Sequence, residues 1–298
     1  MSITRPLNPL PPAADPLSHF QPIPLNRPVQ KPRRGRWLWL FLVIFVAGYF
    51  LNPVPVNLLV LGVDRAPDGS YVAHTDTIIL TQVRPLQGQV RMLSIPRDLW
   101  VPIEGVGEQR INTAHFFAEA EQAGSGPRAA AQTVKSNFGV PINYTVRVQF
   151  SGFSDIVDAM GGLDVTLAEP IAGYDAGQYH LDGAQALAFA RNRTGADDFF
   201  RMENGQLLLK AALEQLLQPR SWLRLPAVAA AFFEVVQSTV PVWLYPQLGV
   251  AVLRSGPEGI HNQTLTREMV TPWTTGGGAQ VLLPNWDLIN PLVSELFR

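Results

Sequence analysis

At 298 residues, with 47% apolar and 16% charged side chains, the chain has the composition of a globular protein and can bury one large core or two modest ones. It has no Cys, which excludes disulfides, zinc–thiolate sites and a cysteine nucleophile. The net charge of −1 hides an asymmetry: residues 1–36 hold six Lys/Arg against one acid, leaving 17 basic and 23 acidic residues in 37–298, a balance that argues against nucleic acid as a partner.

In chain order, residues 1–36 hold nine prolines and no apolar periodicity, which predicts a disordered, basic cytoplasmic tail. The tail ends in Lys31-Pro-Arg-Arg-Gly-Arg36 and is followed by the uncharged stretch 37–51. As a helix that stretch spans about 22 Å, short of the roughly 30 Å hydrocarbon core, and Pro53 and Pro55 argue against extending it. Trp37, Trp39 and Tyr49 near its ends and the basic cluster before it nevertheless read as a transmembrane anchor with the N-terminus inside. The competing readings are a cleaved signal peptide and a buried core helix. An anchor or a cleaved signal peptide alike places residues 57–298 outside the cytoplasm, and the anchor holds them at the plasma membrane.

Three short β-rich runs follow, 57–63, 77–83 and 90–95. Nearly continuous apolar strands are covered on both faces, which predicts a single three-layer α/β/α domain over 57–298 with a central mixed sheet. Helices are expected over 112–122 and 129–138, the second stopped at Gly139, and then an alternating strand 144–150 with Tyr144, Val146, Val148 and Phe150 on one face. A helix over 153–160 closed by Gly161-Gly162 leads to a strand 163–167. Asp182 with Gln185 three residues on has the form of a capping box. The next helix, capped by Asp197 or Asp198, should run to Leu217 with Met202, Leu209, Leu213 and Leu216 buried. Residues 222–240 read as one more apolar helix or pair, and a final helix starts near Trp286. Gly276-Gly-Gly278 reads as a plain loop.

Charged side chains at the ends of buried strands point into a cleft at the sheet edge. Asp64 and Asp76 carry the hard oxygens that Mg²⁺ prefers, though each has a plain reading as a turn residue or a strand cap. Arg97-Asp98 reads equally as a surface ion pair. Arg191 and Arg193 converge only if the helix has ended before them, as Thr194-Gly195 suggests, and Arg201 then falls in the first turn of the next helix. Three guanidiniums at a helix start suit a phosphate or pyrophosphate, and an Arg–Asp network with Asp197 and Asp198 is the structural alternative. No histidine pair stands at ligand spacing, and no serine has a nucleophile-elbow context.

Taken together, Leu61-Gly-Val-Asp64-Arg65, Thr75-Asp76-Thr77, Ser94-Ile-Pro-Arg-Asp98, Arg110-Ile-Asn112, Asp158-Ala-Met-Gly-Gly162, Leu181-Asp-Gly183, Arg191-Asn-Arg193 and Asp198–Arg201 resemble the LytR–CpsA–Psr family, in order and over about residues 56–217. The resemblance implies a membrane-anchored envelope enzyme. It would move a glycopolymer from a polyprenyl pyrophosphate carrier to peptidoglycan as a phosphodiester. By the same resemblance Asp64 and Asp76 would hold Mg²⁺ (or Mn²⁺), and Arg97, Arg110, Arg191, Arg193 and Arg201 would grip the pyrophosphate. The catalytic set would be Asp64, Asp76, Arg97, Asp98 and Arg193. Hydrolysis of the lipid pyrophosphate and non-enzymatic binding of a lipid-linked glycan are the alternatives. Three positions depart from the family pattern: His74 where Arg is usual, and Asn204 and Gly205 where Arg and Gln are usual.

Overall fold

The computed structural model describes residues 34–51, 53–63, 72–171, 173–192, 198–256 and 259–297, with backbone alone at 34–36, 150–151 and 198–203. Asp64, Arg193, Asp197 and the tail 1–33 lie outside the described residues, as does the side chain of Met202. The chain divides into Met1–Phe45 and Val46–Arg298. In the first unit the described segment is the beginning of α1 (Arg34–Phe50), apolar and exposed from Trp37 on. Among the described residues no helix is long and apolar enough to cross a membrane, α1 having 17 residues.

In the second unit β1 (Val56–Val63) lies at the middle of the sheet. β2 (Thr75–Arg84) pairs with it antiparallel on one side, and β3 (Gln89–Ser94) pairs antiparallel with β2. The hairpin β4 (Trp100–Ile103) and β5 (Gly107–Arg110) then leads to α2 (Thr113–Glu121) and α3 (Gly126–Phe138). β6 (Tyr144–Gln149) pairs parallel with β1 on its other side. α4 (Phe150–Met160) follows without a loop, then the hairpin β7 (Leu163–Leu167) and β8 (Gly177–Leu181), α5 (Gly183–Arg191) and α6 (Asp198–Leu217). A 3₁₀ stretch, Pro219–Arg224, precedes α7 (Leu225–Val235), and β9 (Val236–Ser238) closes one sheet edge against β6. α8 (Tyr245–Ser255), β10 (Ile260–Thr264), the hairpin β11 (Val270–Thr274) and β12 (Gln280–Pro284), and α9 (Trp286–Phe297) complete the chain. β10 lies parallel to β3, so the order is β10-β3-β2-β1-β6-β9, a mixed sheet as expected.

Both faces of that sheet are covered, which is why β1 and the middle of β2 are largely apolar. Leu59, Leu61, Ile78 and Leu80 pack with Val134 and Phe138 of α3 and Ile289 and Val293 of α9. On the opposite face Val60, Ile79, Val90 and Met92 meet Leu209, Leu213 and Leu217 of α6 and Val252 of α8. The capping box forms: the Asp182 side chain accepts from the Gln185 amide at 2.8 Å, and Gln185 returns the bond to the Asp182 amide.

Several local expectations need correction. The strand expected to reach Phe150 ends at Gln149, and helix α4 begins at Phe150 rather than Phe153. In β6 the more deeply buried residues are Thr145, Arg147 and Gln149, not the apolar set that alternates with them. In α6 Leu208 is the fully buried leucine, with Asn204 and Gln206 buried beside it.

Some phrases of the family resemblance have a packing explanation. The Gly183 amide donates to the Asp158 carboxylate at 2.7 Å, which joins α5 to α4. A Cβ at Gly183 would meet the Ser154 carbonyl at 2.2 Å, so no larger residue fits there. Asp158-Ala-Met-Gly-Gly162 and Leu181-Asp-Gly183 therefore fasten two helices together.

Gly205 is the opposite case, with nothing within 4 Å of an added Cβ in mid-helix. Gly205→Ala is expected to stabilise the fold by about 0.5–1 kcal/mol through helix propensity and a less flexible unfolded chain. A thermal melt compared with the parent chain measures this directly.

Candidate functional site

At the end of the β1–β2 ladder the register slips: Gly62 faces Thr77 and Val63 faces Thr75, leaving Asp76 between them. A bulge of this kind re-aims the side chain of the extra residue, and here that residue is an acid. Arg97 and Asp98 occupy the turn after β3, and Arg110 ends β5. Backbone bonds draw these pieces together. The Asn112 amide donates to the Arg97 carbonyl at 3.2 Å, Ile111 to Leu99 at 2.8 Å, and Thr75 to the Asn112 carbonyl at 3.4 Å.

The side chains then form an alternating row of charge. Arg97 Nη1 meets Asp76 Oδ1 at 2.6 Å, Arg97 Nε faces Asp98 Oδ2 at 3.5 Å, and Arg110 Nε faces Asp98 Oδ1 at 3.1 Å. All four are half-buried, where such pairs are screened less than at the open surface. Arg110 Nη2 also donates to the Gln280 carbonyl at 2.7 Å, and the Leu282 amide donates to the Asp98 carbonyl at 3.0 Å. The β11–β12 hairpin therefore braces the row from outside. Its turn is the Gly276-Gly-Gly278 loop, with the Thr275 amide on the Ala279 carbonyl.

Of the residues singled out in the sequence, the structure joins Asp76, Arg97, Asp98 and Arg110. Arg191 is the last residue of α5 and is exposed, and Arg201 lies in the first turn of α6, where only its backbone is described. Thr75 Oγ1, Ser94 Oγ and Asn112 Oδ1 are buried without a hydrogen-bond partner around the same bulge and turn. Among the described residues no three His, Cys, Asp or Glu gather as a metal-binding group.

His74, beside the bulge, stacks on Phe116 with ring centroids 4.6 Å apart. Burial holds its pKa below the ordinary imidazole value; Asp76 opposes this, and Arg110 and Arg97 add to it. The position thus carries an aromatic plane against α2.

One group was missed by sequence reasoning. Arg147, buried in mid-β6, pairs with Glu119 of α2 at 3.1 Å and reaches His115 Nε2 at 3.1 Å and the Gln237 side chain. Glu119 in turn accepts from the Gly124 and Gly126 amides at 2.8 and 2.9 Å, capping the start of α3. His115 Nδ1 donates to the Ala73 carbonyl at 2.9 Å, the tautomer that leaves Nε2 to accept from Arg147. Ala73 is three residues before Asp76, so the network holds the strand that carries the acid. Its only trace in the sequence is an arginine inside a strand flanked by two others, where neither face is open to solvent.

Burial keeps His115 below the ordinary imidazole value; the Ala73 bond opposes this and Arg147 reinforces it. Burial raises the Glu119 carboxyl, but the Gly124 and Gly126 amides and Arg147 outweigh it and hold the group low. The unfolded chain therefore binds protons at both groups before the folded one does. Stability is complete above about pH 6.5 and falls as pH drops below it, through His115 first and Glu119 further down. Urea midpoints measured from pH 7.5 to 5 should fall in the parent chain, and His115→Gln should flatten the upper part of that slope.

Comparison with known proteins gives the family and the fold. Residues 49–284 match the LytR_cpsA_psr family. The polyisoprenyl-teichoic acid–peptidoglycan teichoic acid transferase TagU of Oceanobacillus iheyensis is 38% identical over 166 residues, covering 54% of this chain and 51% of that protein. The chain thus spans about half the length of that curated relative. The regulatory protein MsrR of Staphylococcus aureus is 26% identical over 242 residues, 77% of this chain and 71% of that one. Crystallographic TagV of Bacillus subtilis superposes with a TM-score of 0.68 at 23% identity, over 83% of this chain and 98% of its own. TagT bound to LIIa-WTA gives 0.63 at 21%, over 81% and 89%. These two show the same fold, and the family match covers most of the chain, bulge and charge row included: the chain belongs to the LytR_cpsA_psr family.

Proposed function

We propose that this chain is a glycopolymer–peptidoglycan phosphotransferase whose donor is a polyprenyl pyrophosphate. The observation that carries the reading is the half-buried row Asp76–Arg97–Asp98–Arg110 at the bulged end of β2. Relatives named as polyisoprenyl-teichoic acid–peptidoglycan transferases support it. The row is electrically balanced by itself, two acids against two arginines. Asp64, which follows β1 directly, would tip this half toward a cation, and Arg191, Arg193 and Arg201 would tip the other half toward an anion.

The donor set fits a magnesium ion: carboxylates at Asp64 and Asp76, and hard oxygens at Thr75 and Asn112 that are buried without partners. Bound there, Mg²⁺ would neutralise charge on the pyrophosphate oxygens. The chain's own groups do the rest. Arg97, held between Asp76 and Asp98, presents a fixed guanidinium to phosphoryl oxygens, and Arg110 is aimed by Gln280. Donors set before reaction need no reorganisation as charge spreads in the transition state. The acceptor hydroxyl oxygen attacks the phosphorus that bears the glycan and forms a new P–O bond as the bridging P–O bond of the pyrophosphate breaks; the prenyl monophosphate leaves and the hydroxyl proton passes to it or to solvent. Residues 37–51 serve as a single-pass anchor with the N-terminus in the cytoplasm, which puts the domain on the side of the plasma membrane where peptidoglycan lies.

Mass spectrometry of lipid extracted from the purified full chain tests the reading. A co-purifying polyprenyl pyrophosphate that is lost in Arg191→Ala is expected, and its absence from the parent chain would count against donor binding. Phosphate release without an acceptor would identify a hydrolase instead.

A further inference from the structure

α7 breaks the usual rule for a surface helix. Its sequence, Leu-Pro-Ala-Val-Ala-Ala-Ala-Phe-Phe-Glu-Val, is apolar all round, and such helices are normally enclosed. Here Val228 is its one buried residue. The inner arc, with Val228 and Val235, lies against α4, where Val235 fills the space beside Gly152. The outer arc of Leu225, Ala229, Ala230 and Phe233 is exposed, with Glu234 the only charge on the helix.

The exposed apolar surface continues at both ends. Before α7, Leu223 is 91% exposed beside the exposed Trp222. After it, Phe233 packs edge-on against Tyr245 at 5.5 Å, and the preceding turn carries Val242, 78% exposed, and Trp243. Arg220 and Arg224 stand at the Trp222 end, tied to Asp164 and to the Met160 carbonyl. An apolar strip about 16 Å long, edged by tryptophans and with basic residues at one end, has the composition of a helix lying at a lipid–water boundary.

Chain connectivity says which surface is within reach. Val56, the first residue of β1, packs with Val240 and Leu244, on either side of Val242 and Trp243. Val56 comes five positions after Leu51, the end of the uncharged stretch, a reach of at most about 18 Å. The Tyr49 hydroxyl donates to the Trp243 carbonyl. Any bilayer that holds residues 37–51 is therefore presented to this strip at high effective concentration.

We propose that the outer face of α7, with Trp222–Leu223 before it and Val242–Trp243 after it, rests on the phospholipid surface in which residues 37–51 are anchored. The inference rests on the anchor assignment and on no catalytic assignment. Docking would fix the domain's tilt and its height above the membrane, so that the cleft meets a lipid-borne donor in one orientation.

The absence of native cysteine makes the test clean. Leu223→Cys, Val242→Cys and, on α2 as a control, Glu121→Cys are each made in the full chain. The thiol is labelled with nitrobenzoxadiazole, and the chain is reconstituted into phosphatidylcholine–phosphatidylglycerol vesicles. A blue shift and loss of fluorescence to doxyl-labelled lipid are expected at 223 and 242 and not at 121, at every protein-to-lipid ratio. Labels at 223 and 242 quenched by aqueous iodide and not by lipid would overturn the proposal. So would shielding that arises only at high protein density with self-quenching, which would mean that a second copy covers the face. Alkaline extraction of the same vesicles reads the anchor separately. Release of the chain overturns the anchor and the proposal together, while retention with water-exposed labels overturns the proposal alone. Transferase activity enters neither readout.

Discussion

Replacing Arg97 by alanine is expected to lower the transfer rate by roughly 10²–10³-fold, the loss seen when one preorganised charge-stabilising donor is removed from an active site. The substitution removes the single guanidinium between Asp76 and Asp98, which Arg97 meets at 2.6 and 3.5 Å. Two half-buried carboxylates would then face the incoming phosphate without the cation that separates them. Arg97→Lys should recover part of the rate, because it restores the charge and not the two-pronged geometry. Single-turnover transfer of a labelled glycan measures the effect, with a thermal melt to verify that the fold stands. An unchanged rate in Arg97→Ala would remove the charge row from the mechanism.

The largest effect on stability is expected from Arg147→Ala. The guanidinium is buried against Glu119, His115 and Gln237, and its loss leaves a buried carboxylate without its counter-ion. Breaking a buried pair from one side costs about 3–5 kcal/mol, which for a domain of this size is a fall in Tm of about 10 °C. Glu119→Ala should cost a comparable amount, since the Gly124 and Gly126 amides lose their acceptor as well. The double variant Arg147→Met with Glu119→Leu should lose less than the sum of the two single changes, because no isolated charge remains. Melts of the four proteins at one pH provide the comparison. A double variant as unstable as the sum would show that the two side chains act independently.

The elements that could be read from sequence are those whose signal is local. Apolar runs around Leu59, Leu80 and Met92 specified the central strands, and Asp182 with Gln185 specified a helix start. In β6 the alternation set Tyr144, Val146 and Val148 on one face and gave no account of the other. In a sheet covered on both sides the second face is dry too, and there Arg147 is neutralised by partners from α2 and β9 that no spacing rule connects. The first half of the site was legible as chemistry, since Asp76 stands at the start of β2 and Arg97 and Asp98 follow β3. The brace on Arg110 was not, because its partner is the Gln280 carbonyl, a group that every residue possesses. The departures at Asn204 and Gly205 also look different in three dimensions. One residue further on, Gln206 donates to the Gln263 carbonyl and accepts from Thr264 Oγ1 at 2.9 Å, so an amide side chain ties α6 to β10 where the family pattern led us to expect its loss.

That brace and the pairing of β10 with β3 set an order of assembly. Arg110 and Gln280 are 170 positions apart, and the outer edge of β3 finds its ladder partner only at Ile260–Thr264. Synthesis proceeds from the N-terminus, so the β1 edge is bare until β6 is made, and the β3 edge stays bare while most of the domain is still being made. Non-local closure of this kind slows folding and prolongs the life of that edge. A chain interrupted before residue 260 would carry all the arginines and acids of the charge row and yet hold Arg110 by one side only. The braced charge row thus waits for the C-terminal hairpin, the part of the chain made nearly last.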